Sequence, residues 1–168
     1  MRILILVDEN NQAVSSLALT LAPLLHLAQT VQVIPLRDAR SAEWEWADWI
    51  IFGFSHRALI YPLKFKKKLR GLIRSGAEPK LVTLYQVQNR AQSPLTWAHG
   101  FALARLLQER EMVMVMPPTV FFVEPNHTAL SEGELLRAEI WFHHILKALV
   151  QSDQDDFKDE THPHSNLQ

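Results

Sequence analysis

Short, continuous apolar runs rich in β-branched residues recur along this chain, and stretches with helical spacing separate them. The first run, Ile3 to Val7, has no polar residue to turn toward water, which is the pattern of a strand covered on both faces. Between Ala13 and Gln29 the residues Leu17, Leu21, Leu24 and Ala28 fall at helical spacing. Pro23 lies inside that stretch and removes a helix donor, so a kink or an early stop is expected there. Val31 to Leu36 reads as a second strand ending in the polar Arg37, Asp38, Ala39, Arg40 loop. Trp49 to Ser55 reads as a third, entered through the aromatic Trp44, Glu45, Trp46 segment. Phe65, Leu69, Leu72 and Ile73 share one helical face, and Ser75 and Gly76 end it. Lys80 to Tyr85 reads as a fourth strand followed by a polar Gln86 to Ser93 loop. Ser93 and Pro94 suit the N-cap and first position of a helix that turns Trp97, Phe101 and Ala104 inward. Met112 to Met116 and Thr119 to Val123 share the fifth-strand region, broken by Pro117 and Pro118. Met112, Met114 and Met116 alternate there as buried strand residues do. Ser131 and Glu134 form a capping box before a helix that runs through Val150.

Strands alternating with helices over the whole chain predict an α/β fold: a five-stranded parallel sheet with right-handed crossovers and helices on both faces, a flavodoxin-like three-layer sandwich. Ligands of such sheets lie beyond the carboxyl ends of the strands at the topological switch point, which selects the loops after strands one, three and four. With 168 residues, nearly half of them apolar, the chain has material for one core. The expected organisation is a domain over residues 1–150 and a polar, acidic tail over 151–168 without fixed structure.

Composition narrows the chemistry. The absence of cysteine excludes disulfides, thiol nucleophiles and cysteine-ligated metal centres, so a redox role requires a bound cofactor. A net charge of −1 argues against nucleic acid as a partner. The short apolar start lacks the pattern of a secretory signal, and no apolar run approaches the roughly 18 residues that span a bilayer. A cytoplasmic protein is expected, at most peripheral on the inner face of the membrane. Charge is unevenly placed, with Lys64, Lys66, Lys67, Lys68, Arg70 and Arg74 in one segment and Asp153, Asp155, Asp156, Asp159 and Glu160 near the end. The basic segment reads as a solvated helix face or as an interfacial patch for anionic lipid. His143 and His144 are adjacent and diverge on a helix, so no metal site is assigned to them.

In the third strand and the loop after it, Gly53, Ser55, Arg57, Tyr61 and Phe65 resemble the menaquinone-dependent protoporphyrinogen IX dehydrogenase branch of the flavodoxin family. That branch leaves the strand on a Gly-x-Ser-x-Arg pattern, then an aromatic, then a helix. The first strand, Ala18 in the first helix and the aromatic entry into the third strand extend the resemblance over about residues 1 to 90. It implies an FMN-dependent oxidoreductase that takes electrons from a flat, porphyrin-like substrate and passes them to a quinone at the membrane, with Lys64 to Arg74 as the peripheral contact. Its site residues would be recognition groups rather than acid–base catalysts. Ser55, His56 and Arg57 would surround the ring, with Tyr61 and Trp97 as flat faces. Gln86 and Asn89 would meet the ring's polar edge, and the backbone of Asn10, Asn11, Gln12, Ala13 and Val14 would hold the phosphate.

The first loop departs from this pattern. A phosphate cradle needs hydroxyls, glycine and backbone donors at a helix N-terminus. Without gaps, the family's Ser, Thr and Gly positions are here Asp8, Glu9, Asn10, Asn11, Gln12, Ala13 and Val14. A carboxylate turned toward a phosphate opposes its binding, so Asp8 and Glu9 oppose FMN, and the alternative is a binding or regulatory module that kept the scaffold and lost FMN. Three other readings of the two acids stand beside this: a strand-end turn that caps the first helix, a divalent-cation site, and the acidic pocket of response-regulator receiver domains. The last requires a phosphoacceptor Asp where this chain has Gly53, and no partner lysine is evident near the fifth strand.

Overall fold

The structure, a computed structural model, describes residues 1–8, 11–26, 30–55, 67–72, 78–91, 97–125 and 129–159; for His26, Trp97, His99 and residues 148–159 it describes the backbone alone. The chain opens with strand β1 (Arg2–Val7), helix α1 (Gln12–His26), strand β2 (Thr30–Pro35), helix α2 (Ser41–Trp46) and strand β3 (Trp49–Ser55). Helical residues 67–72 (α3) lead to strand β4 (Leu81–Asn89) and helix α4 (Trp97–Gln108). Strands β5 (Val113–Met114) and β6 (Thr119–Val123) precede the last helix, α5 (Glu134–Asp159).

Among the described residues the strands pair with one another in parallel and the sheet order is β2-β1-β3-β4-β5, with β6 also paired to β4. Strands β5 and β6 are two pieces of the expected fifth strand. Val113 and Met114 pair with Leu81 and Val82, Thr119 to Val123 pair with Tyr85 to Asn89, and the prolines lie in the gap. A proline offers no ladder donor, which is why the edge is split there.

Alternation along the buried strands divides the core in two. Ile3, Ile5, Val7, Trp49, Ile51, Tyr85 and Val87 face α1 and α5, whereas Leu4, Leu6, Ile50, Phe52, Phe54, Val82 and Leu84 face α2, α3 and α4. Trp49 stacks on Phe142 with 6.3 Å between ring centroids, and its Nε1 donates to the Thr83 hydroxyl at 3.0 Å, so that a buried polar pair is satisfied. On the opposite face Leu69 and Leu72 are buried as the spacing predicts, while Phe65 and Ile73 lie outside the described residues.

Four expectations change. Helix α1 continues through Pro23 to His26, with Leu25 buried beyond the proline. Helix α4 buries Leu103, Ala104 and Leu107 and leaves Phe101 55% exposed, so Ala104 faces inward as expected and Phe101 does not. The carboxylate of Glu134 is spent on the Phe122 N–H at 3.0 Å and on the Arg137 guanidinium, tying α5 to β6. Helix α5 itself runs to Asp159, past Val150 and into the stretch where composition predicts disorder. None of the helices among the described residues is long and apolar enough to cross a membrane.

Candidate functional site

The switch point falls where β1 and β3 run side by side and their neighbours lie to opposite sides. Val7 pairs with Gly53, and the Asp8 N–H donates to the Gly53 carbonyl at 2.9 Å, so Asp8 prolongs the ladder by one residue. Its side chain turns to Ser55: the hydroxyl donates to Asp8 Oδ2 at 2.6 Å and the Ser55 N–H approaches the same oxygen at 3.4 Å. Both residues are buried, Asp8 at 7% exposure and Ser55 at 5%. A hydrogen bond to an acid group in this setting is a strong one. The carboxyl end of the two central strands is therefore closed by a carboxyl–hydroxyl pair.

Asn11 caps α1. Asn11 Oδ1 accepts the Val14 N–H at 3.2 Å and the Asn11 carbonyl accepts the Ser15 N–H at 3.3 Å, which is N-cap geometry with Gln12 as the first helical position. The Asn11 N–H in turn donates to the Asp8 carbonyl at 3.3 Å. Two amides expected to hold a phosphate, those of Asn11 and Val14, are thus already committed. Ala13 and Val14 send their side chains into the core, and Gln12 is exposed.

A feature that sequence reasoning passed over lies beneath this turn. Gly53 and Tyr85 are register partners, and a Cβ on Gly53 would stand 2.1 Å from the Tyr85 Oη and 2.2 Å from its Cζ. The phenol lies over the glycine and donates to the Val14 carbonyl at 3.0 Å, fastening the first turn of α1 to β4. Its ring meets Phe121 and Trp141 edge-on at 6.3 and 6.4 Å. Complete burial pushes the phenol well above its ordinary range, so it stays a neutral donor. A glycine inside a buried strand is itself a sign of such close approach.

Among the ring contacts expected from the sequence, Ser55 lies at the switch point, but its hydroxyl is given to Asp8. His56, Arg57 and Tyr61, as well as Glu9 and Asn10, lie outside the described residues, and of Trp97 only the backbone is described, as the first residue of α4. Gln86 is not in a loop. It sits within β4 at 1% exposure, donates from Nε2 to Gln88 Oε1 at 2.9 Å, and lies beneath Gly100 of α4. Asn89 ends the strand and its Oδ1 accepts the Ala91 N–H at 2.9 Å, an Asx turn. Gln86 thus belongs to the layer beneath α4, and Asn89 to the turn that follows the strand.

The same observations test the flavin phosphate. Its place in this fold is the turn from β1 into α1, and here that turn offers a buried carboxyl oxygen, a committed cap and no hydroxyl between Asp8 and Val14. The described residues of the turn, Asp8 and Asn11 to Val14, do not fit a phosphate dianion. Among the described residues no group of three or more histidine or acidic side chains is placed to hold a metal ion.

Comparison with known proteins gives the class at the level of the fold. Oxidised flavodoxin 1 from Bacillus cereus superposes with a TM-score of 0.68 at 15% identity, covering 88% of this chain and 98% of that one. An archaeal flavodoxin gives 0.65 at 17% identity over 88% and 97%. Rubredoxin oxygen:oxidoreductase from Desulfovibrio gigas gives 0.63 at 15% identity, covering 89% of this chain and 36% of that chain. This chain therefore has the flavodoxin fold. No protein-family model and no curated protein sequence matches it. The protoporphyrinogen dehydrogenase branch gains no support from these comparisons and rests on the residues quoted above.

Proposed function

We propose that this chain is a flavodoxin-fold binding or regulatory module in which the phosphate end of the ancestral flavin site no longer accepts an anion. One observation carries this reading: the buried Asp8 carboxyl group, bonded to Ser55, stands at the head of the turn where the fold places a phosphate. Two amides of the described turn, those of Asn11 and Val14, are already bonded within it, to the Asp8 carbonyl and to the Asn11 side chain. The test is the colour of the full-length chain as purified. A colourless preparation that added FMN neither tints nor stabilises against heat agrees with the module. A yellow one, whose flavin absorbance bleaches on reduction, contradicts it.

A second reading, an FMN-dependent oxidoreductase or electron-transfer protein, is favoured by the Gly53 to Ser55 exit of β3 at the switch point and by the fold shared with flavodoxins. In that reading FMN supplies the redox chemistry when bound, and the chain's own groups position it. A flat, porphyrin-like donor, a quinone acceptor and a membrane contact through Lys64 to Arg74 complete it as proposed partners.

A further inference from the structure

Away from the switch point, the layer that covers the second half of the core contains a cleft of about 560 Å³ between the start of α2 and helix α3. Its size falls in the range of small-molecule sites. Arg40 and Ser41 line one side, and Lys67, Lys68, Gly71 and Leu72 the other. The cations come from two elements, the turn after β2 and helix α3, that are remote in sequence and meet only through the crossover topology.

Three observations give this cleft a chemical preference. Among the described residues, none of the three cations stands in an ion pair, whereas Arg2, Arg37, Arg90, Arg105 and Arg137 each have an acid partner. Of the two acids that flank Arg40 along the chain, Asp38 pairs with Arg37 at 3.5 Å, and Glu43 accepts the Arg40 backbone N–H at 2.9 Å and caps α2. Gly71 lies in helix α3, yet a Cβ built on it meets no atom within 4 Å. Packing does not require that glycine, and a glycine in a helix is costly relative to alanine. What it does is leave the cleft wall open.

From these we infer that the α2–α3 cleft is a binding site for a phosphate-bearing anion, with the Arg40 guanidinium and the Lys67 and Lys68 ammonium groups as its charge partners. An arginine and two lysines on facing walls suit a compact group with several anionic oxygens better than a single carboxylate. The inference is independent of the reading of the switch point, since no residue is shared between the two.

Calorimetric titration of the full-length chain with pyrophosphate, at matched low and high ionic strength, is the first arm of the test. Sedimentation with phosphatidylglycerol vesicles, against phosphatidylcholine vesicles, is the second. Pyrophosphate binding without vesicle binding assigns a soluble phosphorylated ligand; vesicle binding alone assigns a lipid headgroup. In either case Arg40→Gln combined with Lys67→Gln and Lys68→Gln is expected to weaken the interaction at least tenfold while the melting curve is retained. Gly71→Leu keeps every charge and fills the cleft. A tenfold loss in that variant supports a shaped site, and unchanged affinity reduces the cleft to a diffuse positive surface and overturns the inference. Failure of the parent chain to bind either probe overturns it as well.

Discussion

Replacing Asp8 by serine together with Glu9 by threonine should create affinity for FMN, and the structure sets the scale for the first of these. Asp8 Oδ2 lies 2.6 Å from the Ser55 hydroxyl at the end of the central strands, beside the first turn of α1. A phosphate held at that turn would lie within several ångströms of the carboxyl group. Two unit charges at about 4 Å and an effective dielectric near 20 repel by about 4 kcal/mol. Removing that repulsion corresponds to roughly a thousandfold in affinity, at about 1.4 kcal/mol per factor of ten. The substitution also removes the acceptor of the Ser55 hydroxyl, at a cost of about 1–3 kcal/mol in stability, so melting curves must accompany the titration. Quenching of flavin fluorescence reads the affinity directly. Asp8→Asn, which keeps the shape and loses the charge, should recover most of the gain, and high salt should shrink the difference between parent and variant. Unchanged FMN affinity in a folded double variant would refute the electrostatic reasoning.

Other outcomes follow from the packing around the switch point. Gly53→Ala places a methyl group 2.1 Å from the Tyr85 Oη and should destabilise the chain by about 2–3 kcal/mol in chemical denaturation; Tyr85→Val in the same chain should relieve part of that clash, so that the two changes are not additive. Asn11→Ala removes the cap on the Val14 N–H and should cost about 1 kcal/mol, with the loss seen as faster amide exchange in the first turn of α1. At the other end of the sheet, the Arg2 side chain bonds Asp48 through Nε and Nη2, the latter at 2.6 Å, and holds its carboxyl below the usual carboxylate range. A lowered folded-state pKa contributes stability above the unfolded value near 3.9, and that contribution fades as pH falls through the folded one. Asp48→Asn should therefore melt below the parent at pH 7 and together with it near pH 2.

Strands β1 and β3 were legible because the centre of each is a continuous apolar run, the pattern of a strand covered on both faces. The split fifth strand was visible in Pro117 and Pro118, since neither has an N–H to give to the ladder with β4. The fourth strand was read too short because Gln86, Gln88 and Asn89 look like a loop. Gln86 and Gln88 point to the same face of β4, two residues apart, and bond each other, which satisfies polar groups that would otherwise argue for a loop. On α4 Ala104 is buried as read, but Phe101 was wrongly turned inward, because a large aromatic outweighs leucine in a spacing argument. The actual face is set by Leu103, Ala104 and Leu107, which pack on the core beside Leu84. At the candidate site the sequence singled out Asp8, Gly53 and Ser55, which the structure brings together at the ends of β1 and β3. It did not reveal that the first two bond to each other, that Asn11 is the cap, or that Tyr85 is the reason for the glycine. The Asp8–Ser55 and Gly53–Tyr85 contacts depend on residues brought together by the β1–β3 and β3–β4 ladders, whereas the Asn11 cap spans three residues and was open to a local N-cap reading.

The most direct measurement compares FMN with riboflavin, the same ring and ribityl chain without the phosphate, in calorimetric titrations of the unaltered full-length chain. An acidic switch point predicts that the phosphate brings no gain, so FMN binds no more tightly than riboflavin at low salt. An FMN affinity a hundredfold or more above that of riboflavin would mean that the turn from β1 into α1 still welcomes an anion, and would contradict the account.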